Sequence, residues 1–154
     1  MKIIHVLLLM LQATVAAAAD NPYDEKADAK LDIKQALTQA DSTKTSVIVV
    51  FGANWCPDCK VLDIALKSGT SAKLLARDFQ IVRVNVGHFD TNLDVAKMYG
   101  VPLEKGIPAV AILSPQNKVL YVTKDGELAN AQKMGETGIC DFFKRVTVAM
   151  KAGK

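Results

Sequence analysis

Two short apolar runs stand out in the arrangement of hydrophobic and polar positions along the chain. Residues 47–51 read Val-Ile-Val-Val-Phe, so they predict a strand that is buried on both faces in the middle of a sheet. Residues 79–86 carry valine and isoleucine at nearly alternate positions and predict a second buried strand. The apolar cluster at residues 61–66 predicts an intervening helix that begins near Cys56, with Pro57 suited to its first turn.

The rest of the chain shows the same periodicities. Leu31 and Leu37 are among the apolar residues of the first predicted helix, and Thr91 and Gly100 are the expected N-cap and stop of a later one. Helices and strands alternate first, and a hairpin and a helix follow, which predicts an α/β fold. The further predicted elements are helices over residues 24–40, 71–77, 91–99 and 137–150 and an antiparallel hairpin formed by residues 109–113 and 119–123.

The first 19 residues have the layout of a secretory signal peptide. Lys2 precedes an apolar stretch at residues 3–11, and small residues end in Ala19, after which cleavage is expected. Gln12 and Thr14 interrupt the apolar stretch, which is shorter than the roughly 20 residues that span a bilayer. The sequence therefore predicts a signal peptide over residues 1–19, one domain over residues 20–154, and a periplasmic or secreted protein without stable membrane insertion.

Charge and composition narrow the range of partners. The 154 residues carry 19 basic and 16 acidic side chains, for a net charge of +3, and no run of lysine and arginine that would follow a phosphate backbone. Nucleic acid is therefore not an expected partner. The length suits a single domain with one hydrophobic core.

Cys56 and Cys59 are the residues that point to chemistry. At positions i and i+3 of a helix start they share a face and lie close enough to bond to each other. The helix dipole favours a thiolate on the first, which makes Cys56 the expected nucleophile and Cys59 the expected resolving cysteine. Three alternatives stay open: a zinc site with Cys140 and His88, an inert structural disulfide, and a hydrolase in which His88 activates Cys56.

The chain resembles the thioredoxin-like superfamily through two motifs. These are Phe-Gly-Ala-Asn-Trp-Cys-Pro-Asp-Cys-Lys over residues 51–60, which follows a buried strand, and Gly-Ile-Pro over residues 106–108, which precedes a hairpin. The resemblance implies a thioredoxin-like fold, with a central mixed β-sheet flanked by helices and a C-terminal hairpin plus helix. It also implies a thiol–disulfide oxidoreductase that needs no cofactor or metal, acts on protein disulfides or thiols, and is reset by a redox partner.

The resemblance also assigns roles to individual residues. Cys56 and Cys59 match the redox pair, and Trp55 matches the aromatic residue beside the nucleophile. Pro108 matches the cis-proline, which brings the Ile107 backbone next to the dithiol, where it can pair with an extended substrate. The substrate-binding residues are therefore expected to be Trp55, Pro57, Ile107 and Pro108.

The chain departs from the family pattern at several positions. Thioredoxins carry a buried carboxylate six residues before the nucleophile, where this chain has Val50. Asp58 between the cysteines should oppose a thiolate on Cys56, which together with Ile107–Pro108 favours a reductase or isomerase over an oxidase. Cys140 is expected to be a small buried apolar residue. A non-enzymatic peptide-binding or assembly module is the alternative function.

Overall fold

The strands form one four-stranded mixed sheet. In a computed structural model, which describes residues 21–152, the strand order is β2-β1-β3-β4. The central strand β1 pairs in parallel with β2 and antiparallel with β3, which continues into an antiparallel hairpin with β4. The predicted strand at residues 47–51 is almost completely buried. The strands are β1 (Ser46–Gly52), β2 (Phe79–Asn85), β3 (Ala109–Leu113) and β4 (Val119–Val122).

Helices flank this sheet, as predicted. The first helix packs against β1 and β2, and the helix that carries Cys59 packs against the next helix and the last one. The predicted closing helix buries Ile139, Phe142 and Phe143 in the core. The helices are α1 (Ala29–Thr43), α2 (Pro57–Lys67), α3 (Gly69–Asp78), α4 (Leu93–Met98) and α5 (Ala131–Ala152), with a short 3₁₀ turn at Leu103–Lys105.

The prediction for the first helix was wrong in its start and in its inclusion of Leu31 on the apolar face, whereas Leu37 packs against the core. Asp28 is the N-cap, and its carboxylate accepts hydrogen bonds from the backbone N–H groups of Lys30 and Leu31, each at 3.1 Å. A cap at Asp28 starts the helix five residues later than predicted and turns Leu31 outward, where it is 49% exposed. The face that packs in the core consists of Ala29, Ile33, Ala36 and Ala40.

The ends of two other helices also differ from the prediction. Asn92, not Thr91, precedes α4, and it has a left-handed φ of 53° that asparagine tolerates better than threonine does. Its amide donates to the Asn85 carbonyl oxygen at 2.8 Å. A helical turn at residues 131–134 precedes the predicted closing helix, and Gly135, with a non-helical φ of 61°, separates the two just before the predicted start at residue 137. Glycine adopts such a value without strain, so the chain can change direction there.

Within residues 21–152, no helix is both long enough and apolar enough to cross a bilayer. The predicted signal peptide lies outside the described residues.

Candidate active site at the start of helix α2

Cys56 lies where β1 gives way to α2, and its side chain caps the helix. Gly52 ends the buried strand, and the following loop brings Cys56 to the N-cap position with φ −82° and ψ 114°. The backbone N–H of Cys59 donates a hydrogen bond to Cys56 Sγ at 3.1 Å. Pro57 occupies the first turn, where its missing N–H costs no helical hydrogen bond. The positive end of the helix dipole therefore faces this sulfur and favours a thiolate there after reduction.

A disulfide bond joins Cys56 to Cys59. Their Cα atoms are 5.2 Å apart, within the first turn of α2. Cys59 is completely buried, whereas Cys56 keeps 3% of its surface exposed. Of the two, Cys56 is therefore the residue nearer to solvent and to any protein that approaches the site.

The start of β3 lies against this disulfide. The Ile107–Pro108 peptide bond is cis, as the resemblance implies, and Pro108 directly precedes the strand. The Ile107 carbonyl oxygen is 3.7 Å from Cys56 Sγ, so a reduced Cys56 thiol has a hydrogen-bond acceptor beside it. Gly106 has a φ of 107°, and a side chain there would come within 2.8 Å of the Ala129 Cβ. The glycine is therefore needed for the chain to reach the dithiol by this route.

Trp55, the residue before Cys56, contacts two further aromatic side chains, and we call Trp55, His88 and Phe89 the aromatic platform. Trp55 is 46% exposed, and its Nε1–H donates to the Gly87 carbonyl oxygen at 2.8 Å. Its ring stacks on His88, with centroids 5.4 Å apart and planes at 3°, and meets Phe89 edge-on at 6.1 Å. Phe89 is itself 42% exposed. The sequence predicted Trp55 but not its partners, although an aromatic residue in a polar turn directly after a buried strand was an available signal.

A buried carboxylate that the sequence did not single out lies one turn beyond Cys59 on α2. Asp63 is 3% exposed, and its two oxygens contact Arg83 Nε and, at 2.6 Å, Lys67 Nζ. Arg83 lies on β2 directly opposite Val50, the position at which thioredoxins carry their carboxylate. The signal was the spacing, because positions i and i+4 of a helix share a face and Asp63 follows Cys59 by four.

Asp58 connects the active-site helix to the last helix. Its Oδ1 accepts a hydrogen bond at 2.8 Å from the backbone N–H of Gln132, in the first turn of α5. The carboxylate is thus held between two helices rather than free in solvent. Its predicted repulsion of a Cys56 thiolate stays a prediction.

Cys140 is a free thiol in α5, and its 4% exposure agrees with the predicted packing role. The zinc alternative needs Cys140 and His88 to lie with the paired cysteines. His88 instead stacks on Trp55, and in the part of the chain that the structure describes no group of three histidine, cysteine or acidic side chains is arranged to hold a metal ion.

Comparisons with known proteins agree with this geometry. The family model described as Thioredoxin-like matches residues 28–115, which is more than half of the chain. A thioredoxin of Buchnera aphidicola subsp. Baizongia pistaciae (strain Bp) is 32% identical over 90 residues, which cover 58% of this chain and 73% of the thioredoxin. The crystal structure of a disulphide isomerase from Xylella fastidiosa Temecula1 matches with a TM-score of 0.79 at 48% identity and covers 82% of this chain and 96% of the isomerase chain. The chain belongs to the thioredoxin-like family and has an oxidoreductase fold of that family with a Cys-x-x-Cys pair.

Proposed function

We propose that this protein exchanges disulfides with protein substrates, with Cys56 as the nucleophile and Cys59 as the resolving cysteine. The observation that carries the proposal is the hydrogen bond from the Cys59 N–H to Cys56 Sγ at the start of α2. A thiolate at Cys56 would attack a substrate disulfide and release one substrate thiol. Cys59 would then attack Cys56 and release the second. The substrate gains two electrons, and the dithiol becomes the Cys56–Cys59 disulfide.

The surface around Cys56 suits an extended peptide. The Ile107 backbone is proposed to pair with a substrate strand, as in β-augmentation, while Pro108 holds that backbone next to the dithiol. Trp55 and Pro57, the sequence neighbours of Cys56, are exposed and are proposed to contact the substrate residues that flank its cysteine. The aromatic platform extends this contact to His88 and Phe89, which offers apolar substrate side chains a place to bind.

The proposed direction is isomerisation or reduction. It is supported by the 48% identity to a protein described as a disulphide isomerase. It is also supported by Asp58, whose negative charge in the first turn of α2 opposes a Cys56 thiolate. A less stable thiolate makes a weaker oxidant, because the strongly oxidising members stabilise their reduced form.

Two activity assays test the proposal. The purified protein should accelerate both the reduction of insulin by dithiothreitol and the reactivation of scrambled ribonuclease. The Cys56→Ser, Cys59→Ser double variant should return both rates to the rate of the small thiol alone, because neither half-reaction remains. In Trp55→Ala, which keeps both cysteines, KM should rise more than kcat falls, because the substitution removes a binding surface.

The alternative function predicts the opposite result. A double variant that still binds unfolded peptides and retains its effect on their folding would overturn the redox proposal in favour of a non-enzymatic peptide-binding module. Acceleration of disulfide formation in reduced ribonuclease, without insulin reduction, would instead reverse the proposed direction.

Export is part of the proposal and has a separate test. Removal of residues 1–19 would leave a mature protein that begins at Asp20 and works in the periplasm or outside the cell, where disulfides persist. Mass spectrometry of the protein purified from the periplasm or medium should give the mass of residues 20–154. An intact N-terminus on protein confined to the cytoplasm would contradict export.

A further inference from the structure

A buried tyrosine lies behind the dithiol and has no part in the exchange chemistry described so far. Tyr23 belongs to the segment that precedes α1, and it is 2% exposed. A Cβ atom added to Gly52 would overlap the Tyr23 hydroxyl and would also lie 3.0 Å from Cys59 Sγ. The Tyr23 hydroxyl and Cys59 Sγ therefore both lie next to the side of Gly52 where a side chain would be, and they are neighbours.

The active-site loop holds Tyr23 in this position. Asn54, two residues before Cys56, receives a hydrogen bond from the Tyr23 N–H at 3.0 Å and donates one to the Tyr23 carbonyl oxygen at 2.8 Å. The hydrogen bonds that Tyr23 forms with other described residues use its backbone alone. The backbone is thus fixed to the loop that carries the nucleophile, and the hydroxyl lies beside Gly52, close to Cys59 Sγ.

The charges near Tyr23 leave its hydroxyl proton available to the sulfur. These charges are Asp63 on α2 and Arg83 on β2. Asp63 is paired with Lys67 and Arg83, and among the described residues Tyr23 forms no hydrogen bond to it. Burial raises the pKa of Tyr23 above its usual value, with Arg83 lowering it and Asp63 raising it by smaller amounts. The phenol therefore keeps its proton and can act as a donor but not as a base.

The resolving step needs such a donor. Cys59 must become a thiolate to attack Cys56, but it is completely buried, and desolvation disfavours the charged form. The position at which thioredoxins carry an assisting carboxylate holds Val50, which is apolar and buried. A hydrogen bond to the sulfur would favour the thiolate, because hydrogen bonds to charged groups are the strong ones.

We infer that the Tyr23 hydroxyl donates a hydrogen bond to the Cys59 thiolate and so promotes resolution of the mixed disulfide. This inference rests on the proposed exchange reaction. In the resolving step the Cys56–Cys59 bond forms, and the bond between Cys56 and the substrate sulfur breaks. The proton that Cys59 releases to water is balanced by the proton that the departing substrate thiolate takes up. Tyr23 keeps its own proton throughout.

Reaction with Ellman's reagent separates the two steps in time. Mixing reduced protein with one equivalent of the reagent releases one thionitrobenzoate when Cys56 attacks and a second when Cys59 resolves. All variants carry Cys140→Ser so that only the dithiol reports. In Tyr23→Phe, the second phase should slow about tenfold, and its pH midpoint should rise by about one unit, because one hydrogen bond to the thiolate is lost. The first phase should not change.

Tyr99→Phe is the matched control, because it removes a tyrosine hydroxyl that is bonded to Asn117 in the hairpin turn. It should leave both phases as they are. An unchanged pH profile of the second phase in Tyr23→Phe, or equal slowing of both phases, would overturn the inference. Failure of the first phase in the otherwise unaltered protein would count against the proposed exchange reaction itself.

Discussion

Cys59→Ser protein is expected to accumulate in covalent complexes with its substrates, whereas Cys56→Ser protein is expected to form none. Without the resolving cysteine, the bond between Cys56 and a substrate sulfur can be broken only by another thiol, so the intermediate persists. Without the nucleophile, the completely buried Cys59 meets no substrate. Cys56→Ser should return the rate of insulin reduction to that of dithiothreitol alone, because the attacking thiolate is lost, and Cys59→Ser should lower the rate because each mixed disulfide then waits for a dithiothreitol thiol.

The measurement is a non-reducing gel of cells quenched with acid and alkylated before lysis. Cys140→Ser is the matched control, because it replaces the third cysteine, which is a free thiol buried in α5. It should give the same rates and the same gel pattern as the parent protein. Complexes trapped by Cys56→Ser but not by Cys59→Ser would reverse the two assigned roles.

The sequence predicted those parts of the molecule whose pattern is local and unambiguous. Residues 47–51 offer no polar side, so they could only be a strand with both faces covered, and β1 is the central strand. The cysteine pair could be placed at a helix start because Pro57 suits the first turn and an apolar cluster follows it. With the Gly-Ile-Pro motif, these features were enough to predict the fold and the disulfide.

The errors in helix ends and buried faces arose where hydrophobic periodicity and capping preferences allowed more than one assignment. In the first helix, alanine occupies three of the four core positions, so hydrophobicity did not distinguish the buried face from the face that carries Leu31. Thr91 and Asn92 are both suitable caps, and the decision depended on a left-handed conformation that asparagine accepts more readily. The helical turn before Gly135 was not predicted, because glycine is a poor helix former and separates this turn from the apolar pattern of the closing helix.

Site residues that act through distant contacts could not be predicted. Asn54 meets Tyr23 across 31 positions of sequence, and Asp63 meets Arg83 across 20. Taken alone, polar residues such as Asn54, Asp63 and Arg83 are expected on the protein surface, so nothing in the sequence singled them out. Only the parallel pairing of β1 with β2 brings Arg83 opposite Val50 and so toward the carboxylate on α2.

The ion pair between Asp63 and Arg83 leads to the largest stability effect that we expect. The Asp63 side chain is 4% exposed and that of Arg83 is 23% exposed. Arg83→Met would leave a buried carboxylate with Lys67 as its remaining partner, and the Lys67 side chain is 54% exposed. Breaking a buried pair on one side costs about 3–5 kcal/mol, and because Lys67 stays, we expect the free energy of unfolding to fall by about 2–3 kcal/mol.

Urea denaturation of the oxidised protein measures this difference as a lower midpoint at constant slope. Lys30→Met is the matched control, because Lys30 pairs with Asp94 and the two side chains are 60% and 63% exposed. It should leave the midpoint unchanged, since exposed pairs contribute little. The Asp63→Leu, Arg83→Met double variant should recover most of the loss, because it removes the unpaired buried charge. Arg83→Met protein as stable as the parent would mean that Lys67 alone satisfies Asp63.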